Sequence, residues 1–141
     1  MIGLDTNVLV RYLTQDDPDQ SRRANAIVAE RVAAGERCFL GAIVLCELTW
    51  VLREAYRTSK ADLVRTLDLI LATRQFEIGG KDLVREALDA YRTGRADFAD
   101  YLIGASHRHD GCEETVTFDR RLRDATGFRM LSRQGPGGSN A

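Results

Sequence analysis

The chain has 141 residues, of which 44% are hydrophobic and 29% charged, and its formal net charge is -1. This length suits one domain with a sizeable core, and the charge lacks the strong basic excess that is typical of nucleic-acid binders. No apolar run is long enough to span a membrane, because Glu47 and Arg53 interrupt the longest one. Asp5 stands where a signal peptide would have a basic start. Three widely spaced cysteines without a CxxC pair indicate reduced thiols that mostly fill the core, so we expect a cytoplasmic protein.

Short apolar segments alternate with helical patterns along the chain. The strands are predicted at residues 1–4, 37–40, 75–78, 114–118 and 128–131. Helices are predicted between them, at residues 6–13, 16–35, around Glu47, and at 60–73, 81–94, 96–109 and 120–126. This alternation predicts an α/β fold in which helices cover both faces of a mostly parallel, five-stranded sheet. We expect one domain over residues 1–132 and a flexible, glycine-rich tail over residues 133–141.

Five acidic residues lie in places that surface solubility does not explain. Asp5 and Asp119 each follow a predicted strand, and Asp97 and Asp100 share one face of a predicted helix. Glu47 lies inside the apolar stretch "GAIVLCELTWVL", where an unpaired carboxylate would be costly to bury. Taken singly, the aspartates that follow strands are typical helix N-caps, and so is Asp97.

Taken together, the acids indicate a site. Polar groups that follow parallel strands collect at the carboxyl edge of the sheet, and clustered carboxylates there would raise one another's pKa. A hard divalent cation removes this conflict, and oxygen-only ligands favour Mg²⁺ or Mn²⁺. Such a site suits phosphoryl chemistry with an activated water molecule.

Four motifs in this order resemble a known family: "LDTNVLVRYL", a glutamate inside an apolar helix after the second strand, "ADFADYLIGA" and "TVTFDRRL". They resemble the PIN-domain ribonucleases, and more narrowly the VapC toxins of bacterial toxin–antitoxin pairs. The resemblance runs from Met1 to about Leu131. It implies a three-layer α/β/α sandwich around a mostly parallel five-stranded sheet.

The resemblance also implies which acids form the catalytic site. Asp5, Glu47 and Asp100 match the three core acids of the family, and Asp119 matches a less uniform fourth acid. Asp97 matches an extra acid of the "ADFAD" type. Asp5 and Asp100 would be the principal metal ligands, while Glu47 and Asp119 would hold a second metal or order water molecules.

Three further residues match supporting positions of the family. Thr6 and Asn7 correspond to the polar pair that orients the first aspartate, and Thr117 corresponds to a support beside Asp119. The chain departs from the pattern at Gly41 and Ala42, where many relatives have serine or threonine before the glutamate helix. That departure concerns the cap of this helix and leaves the acids unchanged.

The implied activity is that of an Mg²⁺- or Mn²⁺-dependent endoribonuclease that cuts RNA phosphodiesters. The implied partners are a tRNA or ribosomal RNA substrate, a cognate VapB-like antitoxin and a second copy of the chain. Two alternatives remain open. The acids could be structural, in a metal-stabilised module that binds RNA or protein. A haloacid-dehalogenase-like phosphatase is suggested by "LDTNV", although that chemistry requires a second aspartate where Asn7 stands.

Other residues have simpler interpretations. His107 and His109 are two residues apart near a predicted helix end, so they point to different faces and are not expected to be catalytic. All basic residues except two lysines are arginine, whose planar fork suits phosphate. The arginines that follow Asp119 suit either RNA phosphates or a solvated helix face. Trp50 and Tyr56 have the spacing of core residues, and a dimer interface or an antitoxin groove is the alternative for some residues of this helix.

Overall fold

A computed structural model describes residues 1–131 of the chain, so the predicted flexible tail lies outside the described residues. Strands and helices alternate as the sequence predicts. The strands are β1 (Ile2–Gly3), β2 (Cys38–Leu40), β3 (Phe76–Ile78), β4 (Thr115–Thr117) and β5 (Phe128–Met130). The helices are α1 (Thr6–Thr14), α2 (Pro18–Ala33), α3 (Ala42–Tyr56), α4 (Lys60–Ala72), α5 (Lys81–Thr93) and α6 (Phe98–His109), with one 3₁₀ turn at Arg120–Leu122. The predicted α/β fold class is therefore confirmed.

The strands form two small parallel sheets. β2 pairs with both β1 and β3, with Cys38 opposite Ile2 and Phe76. β4 pairs with β5, with Thr115 opposite Phe128. The parallel pairing agrees with the prediction, but the five strands are divided between two sheets instead of forming one. Each strand has only two or three residues, so each offers few backbone hydrogen bonds to a neighbour.

Local sequence signals fix several helix starts. The carboxylate of Asp17 accepts a hydrogen bond from the backbone of Gln20, and Pro18 occupies the first turn of α2. Ser59 caps α4 in the same way by accepting from Asp62. Gly41 precedes α3 and has no side chain with which to cap it, as its departure from the family pattern suggests.

The chain divides into two compact units, one at Met1–Lys81 and a second that begins at Asp82. Each unit has its own buried apolar residues. Leu9, Leu45 and Leu48 are fully buried in the first unit, and Phe98 and Leu88 are buried in the second. Burial of such side chains contributes about 1.5–3 kcal/mol each, so each unit has a core that can position polar residues at its surface.

Two further expectations concern membrane-spanning helices and the state of the cysteines. Within residues 1–131, no helix combines the length and the apolar character that a transmembrane span requires. All three cysteines are free thiols, as expected. Cys38 lies in β2 and is buried, whereas Cys112 is exposed and therefore does not fill the core.

A hydrogen-bonded group ties the end of α1 to the end of α3. The carboxylate of Asp16 accepts hydrogen bonds from the hydroxyls of Tyr56 at 2.6 Å and Thr14 at 2.7 Å, and from Arg11 at 2.9 Å. These donors, the Tyr56 hydroxyl first, lower the pKa of Asp16 to about 2. Tyr56 thus has a polar function besides the packing that its spacing predicts.

We expect Tyr56→Phe to raise the pKa of Asp16 towards its ordinary value of about 4. Because the folded-state pKa is depressed, this carboxylate stabilises the fold above about pH 4, and the stabilisation is lost as the pH falls towards 2. The variant should therefore lose stability at neutral pH and approach the wild type near pH 2. Urea unfolding at several pH values and a carboxyl carbon NMR titration measure both effects. Tyr12→Phe is the control, since the Tyr12 hydroxyl makes no hydrogen bond within residues 1–131. An equal pH dependence of the two variants would contradict the assignment.

The turn between α5 and α6 depends on close packing at Gly94. Tyr101 is only 5% exposed, and its hydroxyl accepts a hydrogen bond from the backbone of Ala96 at 3.1 Å. A Cβ atom at Gly94 would overlap this hydroxyl and would lie 2.9 Å from the carbonyl oxygen of Ala90. The turn that precedes Asp97 therefore has no room for a side chain at position 94.

We expect Gly94→Ala to lower the free energy of unfolding by about 1–3 kcal/mol, the usual cost of overpacking a close contact. Urea unfolding measures this change. Gly3→Ala is the matched control, because a Cβ atom there would lie 3.9 Å from the carbonyl oxygen of Phe39, an ordinary contact. If both substitutions had the same effect on stability, the proposed contact with Tyr101 would be wrong.

Candidate active site

The first unit brings two of the predicted acids to one edge. Asp5 follows β1 and caps α1, since its carboxylate accepts a hydrogen bond from the backbone of Val8 at 3.0 Å. Thr6 comes next, and its hydroxyl donates to the carboxylate of Glu47 on α3 at 2.7 Å. β1 and β2 are parallel neighbours, so the segments that follow them leave the sheet at the same edge. The resemblance implied that Thr6 orients Asp5; in the structure its hydroxyl holds Glu47.

The sequence argument for a buried Glu47 is wrong. α3 buries Leu45, Leu48 and Thr49 but exposes the face that carries Glu47. Ile43 and Trp50 lie on this exposed side, with 77% and 60% of their surface accessible, so the prediction that Trp50 belongs to the core is also wrong. Glu47 is therefore available to a ligand without the cost of a buried charge.

The second unit gathers the other three acids around one arginine. The guanidinium of Arg121 lies 2.7 Å from the carboxylate of Asp119, 3.4 Å from that of Asp97 and 3.7 Å from that of Asp100. The three carboxylates are each about one-third exposed and Arg121 about one-half. We call Asp97, Asp100 and Asp119 the acidic triad. Three of the five predicted acids thus lie around one side chain.

Backbone hydrogen bonds fix the acidic triad in place. The carboxylate of Asp119 accepts from the backbone of Arg121 at 2.9 Å and so caps the 3₁₀ turn. The hydroxyl of Thr117 accepts from the backbone of Asp119 at 3.0 Å, which supports its predicted position beside that acid. The carboxylate of Asp100 accepts from the backbone of Asp97 at 3.0 Å and helps to cap α6. Capping and clustering are therefore compatible roles.

The environment shifts two of these carboxylates in opposite directions. The hydrogen bond from Arg121 lowers the pKa of Asp119 and raises that of the arginine. Partial burial raises the pKa of Asp100, and the charge of Asp97 adds to this rise. Asp119 is therefore held as a carboxylate, whereas Asp100 retains a proton more readily than an ordinary aspartate does.

The arrangement bears on metal binding. Within residues 1–131, no group of three or more His, Cys, Asp or Glu side chains is placed to hold a metal ion. In the acidic triad the central position is instead taken by the guanidinium of Arg121. The guanidinium of Arg121 is a cation of the chain itself, and it lies where the three carboxylates converge. The electrostatic potential of the carboxylates therefore favours a positive charge at this point. All three donors are carboxylates, the ligands that hard divalent cations prefer.

Comparisons with known proteins identify the family of the chain. A family model described as PIN domain matches residues 2–127. The chain belongs to the PIN-domain family. It is also 27% identical over 129 residues to a VapC ribonuclease from Aquifex aeolicus (strain VF5), and the alignment covers 92% of this chain and 94% of that protein. The resemblance drawn from the four motifs is confirmed.

The observed contacts account for only some of the residues that the family resemblance assigned to the site. Asn7 lines a small cavity of about 310 Å³ with Asp5 and Arg11, which places it beside the acid that it was expected to support. The sequence indicates Arg121 only as a phosphate contact or a solvated residue. It does not predict the ion pairs of Arg121 with the acidic triad. A basic residue two positions after a strand-ending aspartate was the available signal, since the turn brings its side chain back to that carboxylate.

We expect Arg121→Gln to raise the pKa of Asp119, because the variant loses the hydrogen bonds that favour its charged form. The pKa of Asp100 should rise further as well, since the positive charge beside it is removed. A carboxyl carbon NMR titration measures both values. Arg120→Gln removes the same charge one residue earlier and should change the pKa of Asp119 less. An unchanged pKa of Asp119 in Arg121→Gln would contradict the observed ion pair.

Proposed function

We propose that this PIN-domain chain is a divalent-metal-dependent endoribonuclease and the toxin of a VapC-type toxin–antitoxin pair. The similarity to a VapC ribonuclease supports this activity. The observation that carries the proposal is the acidic triad, in which Asp97, Asp100 and Asp119 surround one cationic group. Such a cluster has no use in an apolar core and suits a site that binds a cation.

The proposed catalytic residues are Asp5, Glu47, Asp100 and Asp119, with Asp97 as a further metal ligand. Their donors are oxygen atoms alone, which fits Mg²⁺ or Mn²⁺. A bound divalent cation would supply Lewis-acid activation of a water molecule and would neutralise charge on the phosphodiester.

The side chains around the acids prepare the site for this chemistry. Thr6 holds the carboxylate of Glu47, and Thr117 holds the backbone of Asp119. Arg121 must turn away from the acidic triad before another cation enters, and its half-exposed side chain is free to do so towards solvent. In the arrangement described, Arg121 offsets the repulsion among the three carboxylates.

The partners follow from the same assignment. We propose an RNA substrate of the tRNA or ribosomal RNA class, a VapB-like antitoxin that silences the site, and a homodimer in the cytoplasm. The exposed apolar side chains on α3, Ile43 and Trp50, are of the kind found in protein interfaces and support a protein partner.

Purified protein freed of any partner should cut total cellular RNA in the presence of Mn²⁺ or Mg²⁺ and should stop when EDTA is added. Asp100→Asn should lower the cleavage rate at least about a hundredfold, because it removes a negative charge from the site. Denaturing gels with mapping of the product ends measure both the rate and the target. Asp89→Asn is the control, since this acid is 77% exposed and lies on α5 outside the acidic triad.

Thermal unfolding of the same variants separates the alternatives. A catalytic role predicts that Asp100→Asn folds as stably as the wild type and loses cleavage. A purely structural role of the acids predicts that the variant unfolds at a lower temperature. Undiminished cleavage by Asp100→Asn would rule out the assigned site. Hydrolysis of p-nitrophenyl phosphate without RNA cleavage would favour the phosphatase alternative.

A further inference from the structure

A second feature of the second unit lies beside the acidic triad and has no role so far. A cavity of about 710 Å³ opens there, bordered by α5, α6 and the 3₁₀ turn. Ligand sites usually have volumes of about 300–1,000 Å³. Five arginines line this cavity: Arg95, Arg108, Arg120, Arg121 and Arg123. We call it the arginine cavity.

The charge of the arginine cavity is only partly balanced. Arg108 pairs with Glu86, and Arg121 pairs with the acidic triad. Within residues 1–131, Arg95, Arg120 and Arg123 form no ion pair, and all three are exposed. The lining also contains the exposed acid Asp124, so five arginines stand against two acids, Glu86 and Asp124. Three guanidinium groups at one concave surface repel one another, so the surface favours a ligand with several negative charges.

The shape of the guanidinium group narrows the ligand class. Its planar fork donates two parallel hydrogen bonds and matches the oxygens of a phosphate. Several such groups spread along a cavity match successive phosphates better than one isolated anion. The apolar parts of the lining, Ala90 and Ala125 among them, offer contact surface to a ribose or a base.

One side chain connects the arginine cavity to the proposed active site. Arg121 lines the cavity and also contacts Asp97, Asp100 and Asp119. A strand that lies in the cavity therefore passes next to the acids. An acidic protein segment would match the charge equally well, but an RNA strand also presents phosphodiester bonds to the proposed catalytic acids.

We propose that the arginine cavity is the site that holds the RNA backbone beside the cut, with Arg95, Arg120 and Arg123 binding phosphates of the flanking nucleotides. This inference rests on the proposed ribonuclease function and adds to it the residues that bind the substrate. They bind the strand independently of any metal, because guanidinium–phosphate contacts require none.

The test is binding of a fluorescently labelled single-stranded RNA of about 12 nucleotides, within the usual range of single-strand sites, followed by anisotropy. EDTA is present throughout, so cleavage does not interfere. The test protein carries Arg95→Gln, Arg120→Gln and Arg123→Gln together. The matched control carries Arg57→Gln, Arg74→Gln and Arg85→Gln, which removes the same charge from exposed positions outside the cavity.

We expect the cavity variant to bind RNA at least about tenfold more weakly than the wild type at low salt. The slope of log affinity against log salt should become smaller by about 2, since each lost phosphate contact removes about 0.7 for a single strand. The control variant should lose less than about threefold. Circular dichroism checks that both variants fold.

Two results would overturn the proposal: equal losses in the cavity variant and the control, or unchanged RNA binding by the cavity variant. Retained RNA binding with lost binding of a polyglutamate peptide would assign the cavity to an acidic protein partner instead. The experiment also separates this proposal from the proposed activity. A protein that binds RNA through the cavity but never cuts it would refute the ribonuclease alone. A protein that cuts RNA while the cavity variant binds normally would refute the cavity alone.

Discussion

The ion pairs of Arg121 are the interaction on which the acidic triad depends. Three carboxylates that share one cation would otherwise repel one another, and at least one of them would take up a proton. Arg121 lowers the pKa of Asp119, whereas partial burial raises the pKa of Asp100 despite the attraction of the arginine. Because Arg121 is about half exposed, such pairs typically contribute no more than about 1 kcal/mol each. These contacts therefore hold Arg121 only weakly, and another cation can displace it at little cost in free energy.

The same side chain places positive and negative surfaces next to each other. Arg121 contacts the acidic triad and also lines the arginine cavity. A site that cuts a polyanion has two opposed requirements, since it must attract the strand and yet present carboxylates to a cation. Separate surfaces that share one residue satisfy both. These separate surfaces also show why a net charge of -1 is no argument against a nucleic-acid substrate. Positive and negative side chains are clustered in different places, and the net charge of the chain does not reveal this clustering.

The sequence predicted the fold better than it predicted the contacts of the site. The order of strands and helices follows from apolar periodicity and from caps such as Asp17 and Ser59, which are local signals. Whether the strands form one sheet or two depends on hydrogen bonds between distant segments, and no local pattern specifies these. Glu47 shows the same limit, because an apolar sequence around a residue does not reveal which side of the helix faces the core. Arg121 has a local signal for its contact with Asp119, but its contacts with Asp97 and Asp100 depend on how the turn after Asp119 meets the start of α6.

The double role of the acids determines how the site can be studied. Asp5 and Asp119 cap helical segments with the same carboxylates that are proposed to bind metal, and Asp100 helps to cap α6. Replacement by alanine removes both the cap and the charge, and a lost cap alone costs about 0.5–2 kcal/mol. Asparagine caps a helix about as well as aspartate does, so replacement by asparagine removes the charge and keeps the hydrogen bond. A loss of activity in an alanine variant would therefore not distinguish catalysis from folding, whereas a loss in an asparagine variant of normal stability would assign the role to the charge itself.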